Sequence, residues 1–300
     1  MSSCRSCKSR VLTVHWMTKL RVAVTGAHGQ LGSDLVQQLM ESGHEVSGPG
    51  RDELDVTDYE ATANWLRQVR PDTIIHSAAF TGVDQAESQA DKAWLVNADS
   101  TRHLAVIAEE LGSKLVYIST DYVFGRSGHT TPYLESTSVE PINVYGQTKA
   151  AGEAYVQELH SRYYIIRTSW MYGRHGRNFV ETMLELARGD MPIQVVDDQV
   201  GSPTWTEDVS ACILRLLATD KYGIYHVTNA GSCSWHEFAS AIFELSGIGK
   251  SPEPVSSAEF PRAARRPAYS VLAHASLAAG GFPPMRHWRE ALADYLTKRV

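Results

Sequence analysis

Tyr145-Gly146-Gln147-Thr148-Lys149 sets a phenol and an ammonium group four residues apart. On a helix that spacing puts both side chains on one face, so the ammonium can lie close to the phenol. A free phenol has a pKa of about 10 and exchanges protons poorly near neutrality, whereas a neighbouring cation stabilises its phenolate. The pair can then work as a general acid. Because a YxxxK spacing is common on helix surfaces, it needs a third group to support it. Ser119-Thr120-Asp121-Tyr122-Val123-Phe124-Gly125 closes an apolar run over 114–119 that reads as a strand. A Thr120 hydroxyl at the carboxyl end of that strand can hydrogen-bond a carbonyl oxygen, although taken singly it is equally a threonine that closes a strand. Thr120, Tyr145 and Lys149 form the candidate catalytic triad.

A second constellation lies near the start of the chain, where an apolar run over 20–25 leads straight into Gly26-Ala27-His28-Gly29-Gln30-Leu31-Gly32. Glycines between a strand and a helix let the backbone approach a pyrophosphate, while the helix N-terminus supplies amide donors and the positive end of its dipole. An acidic residue for the adenosine ribose is expected about 20 residues further on. The chain instead reads Gly48-Pro49-Gly50-Arg51, with the next carboxylate at Asp52. Arg51 suits a 2′-phosphate, which favours NADPH with NADH still open, and equally suits a solvated loop.

Stepping outward from these groups, the apolar patterning alternates strand and crossover helix. Strands are expected over 20–25, 44–47, 72–76, 114–119 and 163–168, and helices over 31–40, 59–69, 91–111 and 145–160. The fold class is α/β, a doubly wound parallel (Rossmann-like) sheet whose ligands bind beyond the carboxyl ends of the strands. After about Arg174, prolines and glycines at Pro192, Gly201, Pro203, Pro252, Pro254, Pro261 and Pro267 break this rhythm. Residues 20–173 are therefore expected to be mainly a dinucleotide-binding domain and 174–300 mainly a smaller α/β substrate-binding lobe, with segments free to interleave.

Composition narrows the partners. Lys and Arg total 28 against 34 Asp and Glu, a net charge of −6 that offers no general field for nucleic acid. Hydrophobic residues make up 43% with no run of about 18 apolar residues, so the chain reads as soluble and cytoplasmic, with no membrane partner expected. Of Cys4, Cys7, Cys212 and Cys233, only the first two have metal-ligand spacing; nothing nearby completes a site, and no metal is expected. Cys212 reads as a buried, inert thiol. Residues 1–19 carry Arg5, Lys8, Arg10 and Lys19 with no acidic residue and precede the first strand. They are expected to be a disordered extension, of which 1–16 are dispensable.

The glycine turn, strand-end threonine and YxxxK, in this order, resemble the extended short-chain dehydrogenase/reductases. Within them the chain resembles the dTDP-4-dehydrorhamnose reductase family. The strings that carry this are His76 to Asp84, Ser119 to Gly125, Arg167-Thr168-Ser169-Trp170, Asn178-Phe179-Val180, Asp198 to Thr204 and Arg266-Pro267-Ala268-Tyr269-Ser270. The resemblance covers 20 to about 300. It implies that Gly26, Gly29, Gln30, Leu31 and Gly32 hold the pyrophosphate, that Asp55 and Val56 border the adenine, and that Ala78, Ala79 and Asn97 line the cofactor. It also implies that Lys149 bonds the nicotinamide ribose and that Thr81, Val83, Thr120, Asp121, Tyr122, Tyr145 and Trp170 surround the sugar. Arg266 is the candidate cation for the diphosphate, against a plain surface arginine. Two departures stand out: His76, where Asn is frequent in related sequences, and Gly82, which interrupts its string.

The chemistry implied is hydride transfer to the position-four carbonyl of a nucleotide-linked sugar, with Tyr145 donating the proton and Thr120 polarising the oxygen. An epimerase or dehydratase on the same fold would keep its NAD bound and show no net consumption. A non-catalytic regulatory subunit of the methionine adenosyltransferase type would bind a synthetase instead, and a homodimer stays open.

Overall fold

The computed structural model describes residues 19–299, so the extension and the Cys4–Cys7 pair fall outside the described residues. The first part of the chain runs β1 (Arg21–Thr25), α1 (Gln30–Glu41), β2 (Glu45–Ser47), α2 (Tyr59–Val69), β3 (Thr73–His76), α3 (Val83–Ser88) and α4 (Ala90–Trp94). A π-turn over Leu95–Asp99 leads to α5 (Ser100–Leu111), β4 (Lys114–Thr120), a 3₁₀ turn at Asp121–Val123, α6 (Val144–Leu159) and β5 (Tyr163–Thr168). Shorter elements follow: β6 (Met171–Tyr172), α7 (Phe179–Leu186), β7 (Gln194–Val196), β8 (Val200–Gly201), β9 (Thr204–Trp205), α8 (Thr206–Leu217) and β10 (Gly223–His226). The chain ends with β11 (Cys233–Ser234), α9 (Trp235–Leu245), β12 (Glu253–Val255), α10 (Ala275–Ala279) and α11 (Trp288–Lys298).

The six-stranded sheet has the order β10-β5-β4-β3-β1-β2, and all its pairings are parallel. Its strands are apolar at consecutive positions because both faces are covered. Val22, Val24, Ile75, Val116 and Ile118 pack on one side with Leu35 and Leu39 of α1 and Ile213 of α8. Ala23, Ile74, Leu115 and Tyr117 pack on the other with Leu66, Leu104 and Ile107. Burying each large apolar side chain contributes about 1.5–3 kcal/mol, which makes this sheet the rigid base of the molecule. Both α8 and β10 lie beyond residue 174, so the later half of the chain supplies the sixth strand as well as a separate core. That second core gathers Tyr172, Trp205, Phe238, Trp288 and Tyr295. Among the described residues no helix is long and apolar enough to cross a membrane.

The single helix expected over 91–111 needs correction, because α4 and α5 are separated by the π-turn. Its extra residue turns Asn97 inward, where the side chain donates to Phe80 O and Thr148 Oγ1 and accepts from Phe80 N. A regular helix pattern gives no warning of such a bulge, which forms because buried polar partners reward it. The other expected boundaries shift by one residue at most, α1 included, which opens on Gln30 and ends at Glu41.

Candidate functional site

Register brings the reactive residues to one edge of the sheet. Thr25 is level with His76, His76 with Tyr117, and Thr120 with Thr168, so the carboxyl ends of β1, β3, β4 and β5 meet. At the end of β1, Gly26 has φ +67°, and a Cβ there would stand 2.7 Å from Ala78 N. A Cβ on Gly32 would stand 2.1 Å from Gly26 O, so the turn closes on itself only with glycine at both places. Gly29 has no side chain to cap α1, and the first turn of that helix holds no acidic residue. Gln30 Nε2 is buried with no hydrogen-bond partner among the described residues. Free helix-start amides beside an orphaned buried donor fit an anion such as a diphosphate.

The outer cofactor candidates are arranged around a turn. Asp55 accepts from Thr57 N at 2.9 Å and from Thr57 Oγ1 at 2.8 Å, which holds its carboxyl below the usual range with help from the charge of Arg51. Arg51 and Asp55 are exposed, whereas Val56, Leu31 and Gly32 are buried. Asn97 is fully buried and spends its amide on Phe80 and Thr148, so it shapes the loop that carries Ala78 and Ala79. His76 is buried between Thr25 Oγ1 at 2.8 Å and Thr101 Oγ1 at 3.1 Å. Burial, with the nearby Lys149 charge, pushes it down to about 3, so it is a neutral ring bridging β1 and α5.

At the centre, Asn143 caps α6 by accepting from Gly146 N, which fixes the helix start that carries Tyr145. The Tyr122 ring stands edge-on to the Tyr145 ring at 5.7 Å, and Thr120 lies near enough to the Tyr145 phenol to favour its ionised form. Thr120 Oγ1 donates to Asp121 Oδ1 at 3.0 Å, and Ser270 Oγ donates to Asp121 Oδ2 at 2.6 Å. A hydroxyl has one proton, so Thr120 can serve Asp121 or a substrate oxygen, but not both at once. Burial raises Asp121 to about 6.

The electrostatics depart from the expectation that Lys149 lowers the tyrosine. Desolvation pushes Tyr145 up to about 12, opposed by the nearby Thr120 hydroxyl. The Lys149 ammonium lies over the face of Tyr117, 4.0 Å from the ring centroid. Burial lowers Lys149 to about 7, and Glu153, one turn further along α6, opposes that shift. Glu153 is itself held by Arg167 at 2.6 and 2.9 Å and by Ser119 Oγ at 2.5 Å.

Across the strand edge, Trp170 follows β5 with a left-handed φ of +45°. Thr81 is exposed, while Val83 and Tyr122 are half-buried. Arg266 is not a free cation. Its guanidinium grips Asp84 through two bonds of 2.5 and 2.8 Å and also donates to Ala264 O. Asp84 is driven down to about 2, chiefly by that contact.

The site therefore pairs an anion-binding helix start with a hydroxyl–phenol–ammonium cluster, and the sequence carries the same signature throughout. The RmlD substrate binding domain model matches residues 20–300. The chain belongs to this family. The spore coat polysaccharide biosynthesis protein SpsK of Bacillus subtilis is 44% identical over 283 residues, covering 94% of this chain and 98% of that one. A dTDP-4-dehydrorhamnose reductase of Streptomyces griseus is 42% identical, covering 91% of this chain and 92% of its own. The crystal structure of a Bacillus anthracis dTDP-4-dehydrorhamnose reductase in complex with NADP superposes with a TM-score of 0.91 at 44% identity, covering 94% of this chain and 100% of that one.

Sequence reasoning missed several RmlD-type site neighbours. Glu153 continues the Tyr145–Lys149 spacing by another four residues, a signal that could have been read. Asp84 and Ser270 end strings already singled out, yet their partners lie 182 and 149 residues away and no local pattern links them.

Proposed function

We propose that this chain is an NADPH-dependent reductase of a dTDP-linked 4-keto-6-deoxy sugar, a dTDP-4-dehydrorhamnose reductase giving dTDP-L-rhamnose. The observation that carries the reading is the convergence of Thr120, at the carboxyl end of β4, with Tyr145 and Lys149, one helical turn apart on α6. The names and the NADP complex of the full-length relatives support it. The chemical class is that of the extended short-chain dehydrogenase/reductases, and the cell compartment is the cytoplasm.

Gly26, Gly29, Gln30, Leu31 and Gly32 hold the cofactor diphosphate, with Arg51, Asp55 and Val56 at the adenosine end and Ala78 and Ala79 along the chain. Bound NADPH supplies a hydride to the carbonyl carbon. Tyr145 gives its proton to the oxygen, so the carbonyl gains one hydride and one proton to become an alcohol. Thr120 orients that oxygen, and Lys149, one turn along α6 from Tyr145, holds the ribose. Trp170, Val83, Thr81, Tyr122 and Asp121 enclose the sugar, and Arg266 meets the diphosphate while sharing its charge with Asp84. Residues 20–173 act mainly on the cofactor and 174–300 mainly on the sugar nucleotide.

Incubating the purified chain with NADPH and the dTDP-4-keto sugar tests this. One NADPH consumed per dTDP-6-deoxyhexose formed is the expected result. Conversion of a nucleotide sugar with no net NADPH loss would make the chain an epimerase or dehydratase. Failure to convert, combined with tight capture of a methionine adenosyltransferase, would make it a regulatory subunit.

A further inference from the structure

Trp170 stands two residues past Thr168, which is level with Thr120. Its left-handed backbone, at φ +45°, is strained for a large L residue and persists only where the surroundings hold it. Two contacts do so. Gly201 in β8 lies so close that a Cβ there would come within 2.4 Å of the Trp170 indole. Trp235, the first residue of α9, stacks on Trp170 with centroids 3.6 Å apart and planes 9° from parallel.

Trp235 is in turn held from behind. Its ring packs on Phe179 of α7 at 4.6 Å and on Phe238 of α9 at 6.3 Å. Ser234 and Glu237 close a capping box at the start of α9, which fixes where Trp235 leaves the backbone. Through this ring, Trp170 is joined to the second core. A 3.6 Å stack admits no ligand between the two indoles, so a substrate meets Trp170 only on the surface that this stack leaves open.

We infer that Trp235 is a positioning residue for substrate binding: it sets the plane of Trp170 and so couples sugar-nucleotide affinity to the packing of the smaller lobe. This rests on the reading of Trp170 as a sugar-side residue. Trp235 acts through Trp170 and has no part in proton or hydride transfer.

The test uses the full chain with NADPH and the keto-sugar. Trp235→Leu should raise the sugar KM about tenfold, with kcat changed less than about twofold and the NADPH KM unaltered. The two stacked indoles should give the unaltered chain an exciton couplet in circular dichroism, and Trp235→Leu should abolish it. Trp235→Phe should restore most of the affinity. Gly201→Ala, which pushes on the Trp170 ring while keeping Trp235 itself, should raise the same KM and keeps the test decisive if Trp235→Leu does not fold. Trp170→Ala separates the two claims: an unchanged sugar KM there would sink the reading of Trp170 itself. If Trp170→Ala raised the KM while Trp235→Leu lost the couplet at constant KM, only the positioning role would be overturned.

Discussion

At the glycine turn, one run from Gly26 to Gly32 carries the geometry, whereas the proposed sugar side gathers Asp84, Thr120, Trp170, Gly201, Trp235, Arg266 and Ser270 from distant parts of the chain. The first region works through backbone shape: small residues allow a close approach, and helix-start amides provide the donors. The second works through partners, since each of its groups owes its direction to a side chain far away in sequence. A substitution in the first region should therefore act at once on the diphosphate site. One in the second should spread through its neighbours and be felt mainly in affinity.

The largest effect is expected at Tyr145, the proposed proton donor. Tyr145→Phe keeps the ring and removes the proton donor, so turnover should fall by about 10²–10⁴ while NADPH binding and thermal stability survive. A near-normal rate with an unchanged pH profile would move the proton donor elsewhere, with Tyr122 the next candidate because its ring is 5.7 Å away.

Gly32→Ala comes next, as its Cβ would fall 2.1 Å from Gly26 O, a backbone atom that cannot step aside cheaply. Overpacking of this kind costs about 1–3 kcal/mol, and NADPH affinity measured by titration calorimetry should drop with it. If affinity stayed intact, the turn would not be the diphosphate site, and the contrast between local and assembled regions would lose its first member.

On the assembled side, Asp121 offers a smaller effect with a definite sign. Burial raises its carboxyl from 3.8 to about 6, opposed by the Ser270 and Thr120 hydrogen bonds. The folded state therefore holds this proton more tightly than the unfolded chain, and the group's contribution to stability falls as pH rises from about 4 through about 6. Between about pH 5 and 7 the loss amounts to roughly 1 kcal/mol. Asp121→Asn removes the titration, so its stability relative to the unaltered chain should improve by about that much over this interval in urea unfolding. A constant difference would show that the carboxyl is not held raised.

The smallest effect is expected at Arg51, on an exposed turn. Arg51→Ala should weaken NADPH several-fold, on the order of 1 kcal/mol or less for an exposed ion pair, and leave NADH unchanged. Equal losses for both cofactors would remove the link to the 2′-phosphate.

The sheet was legible in the sequence because each strand is a short apolar run and each crossover helix is amphipathic, patterns imposed locally by burial on two faces. The glycine turn, Thr120 and the Tyr145–Lys149 spacing were legible for the same reason, since each needs only neighbouring residues to make sense. Tertiary structure alone decided the rest. It bulged the helix at Asn97 to pair that amide with Phe80 and Thr148, and it laid Lys149 over Tyr117. It also bound Arg266 to Asp84, brought β10 back to the edge of the sheet and stacked Trp170 on Trp235. A sequence states which groups a residue carries and how its neighbours repeat. Burial and partner choice across more than a hundred residues, which set the charge and direction of those groups, exist only once the chain has folded.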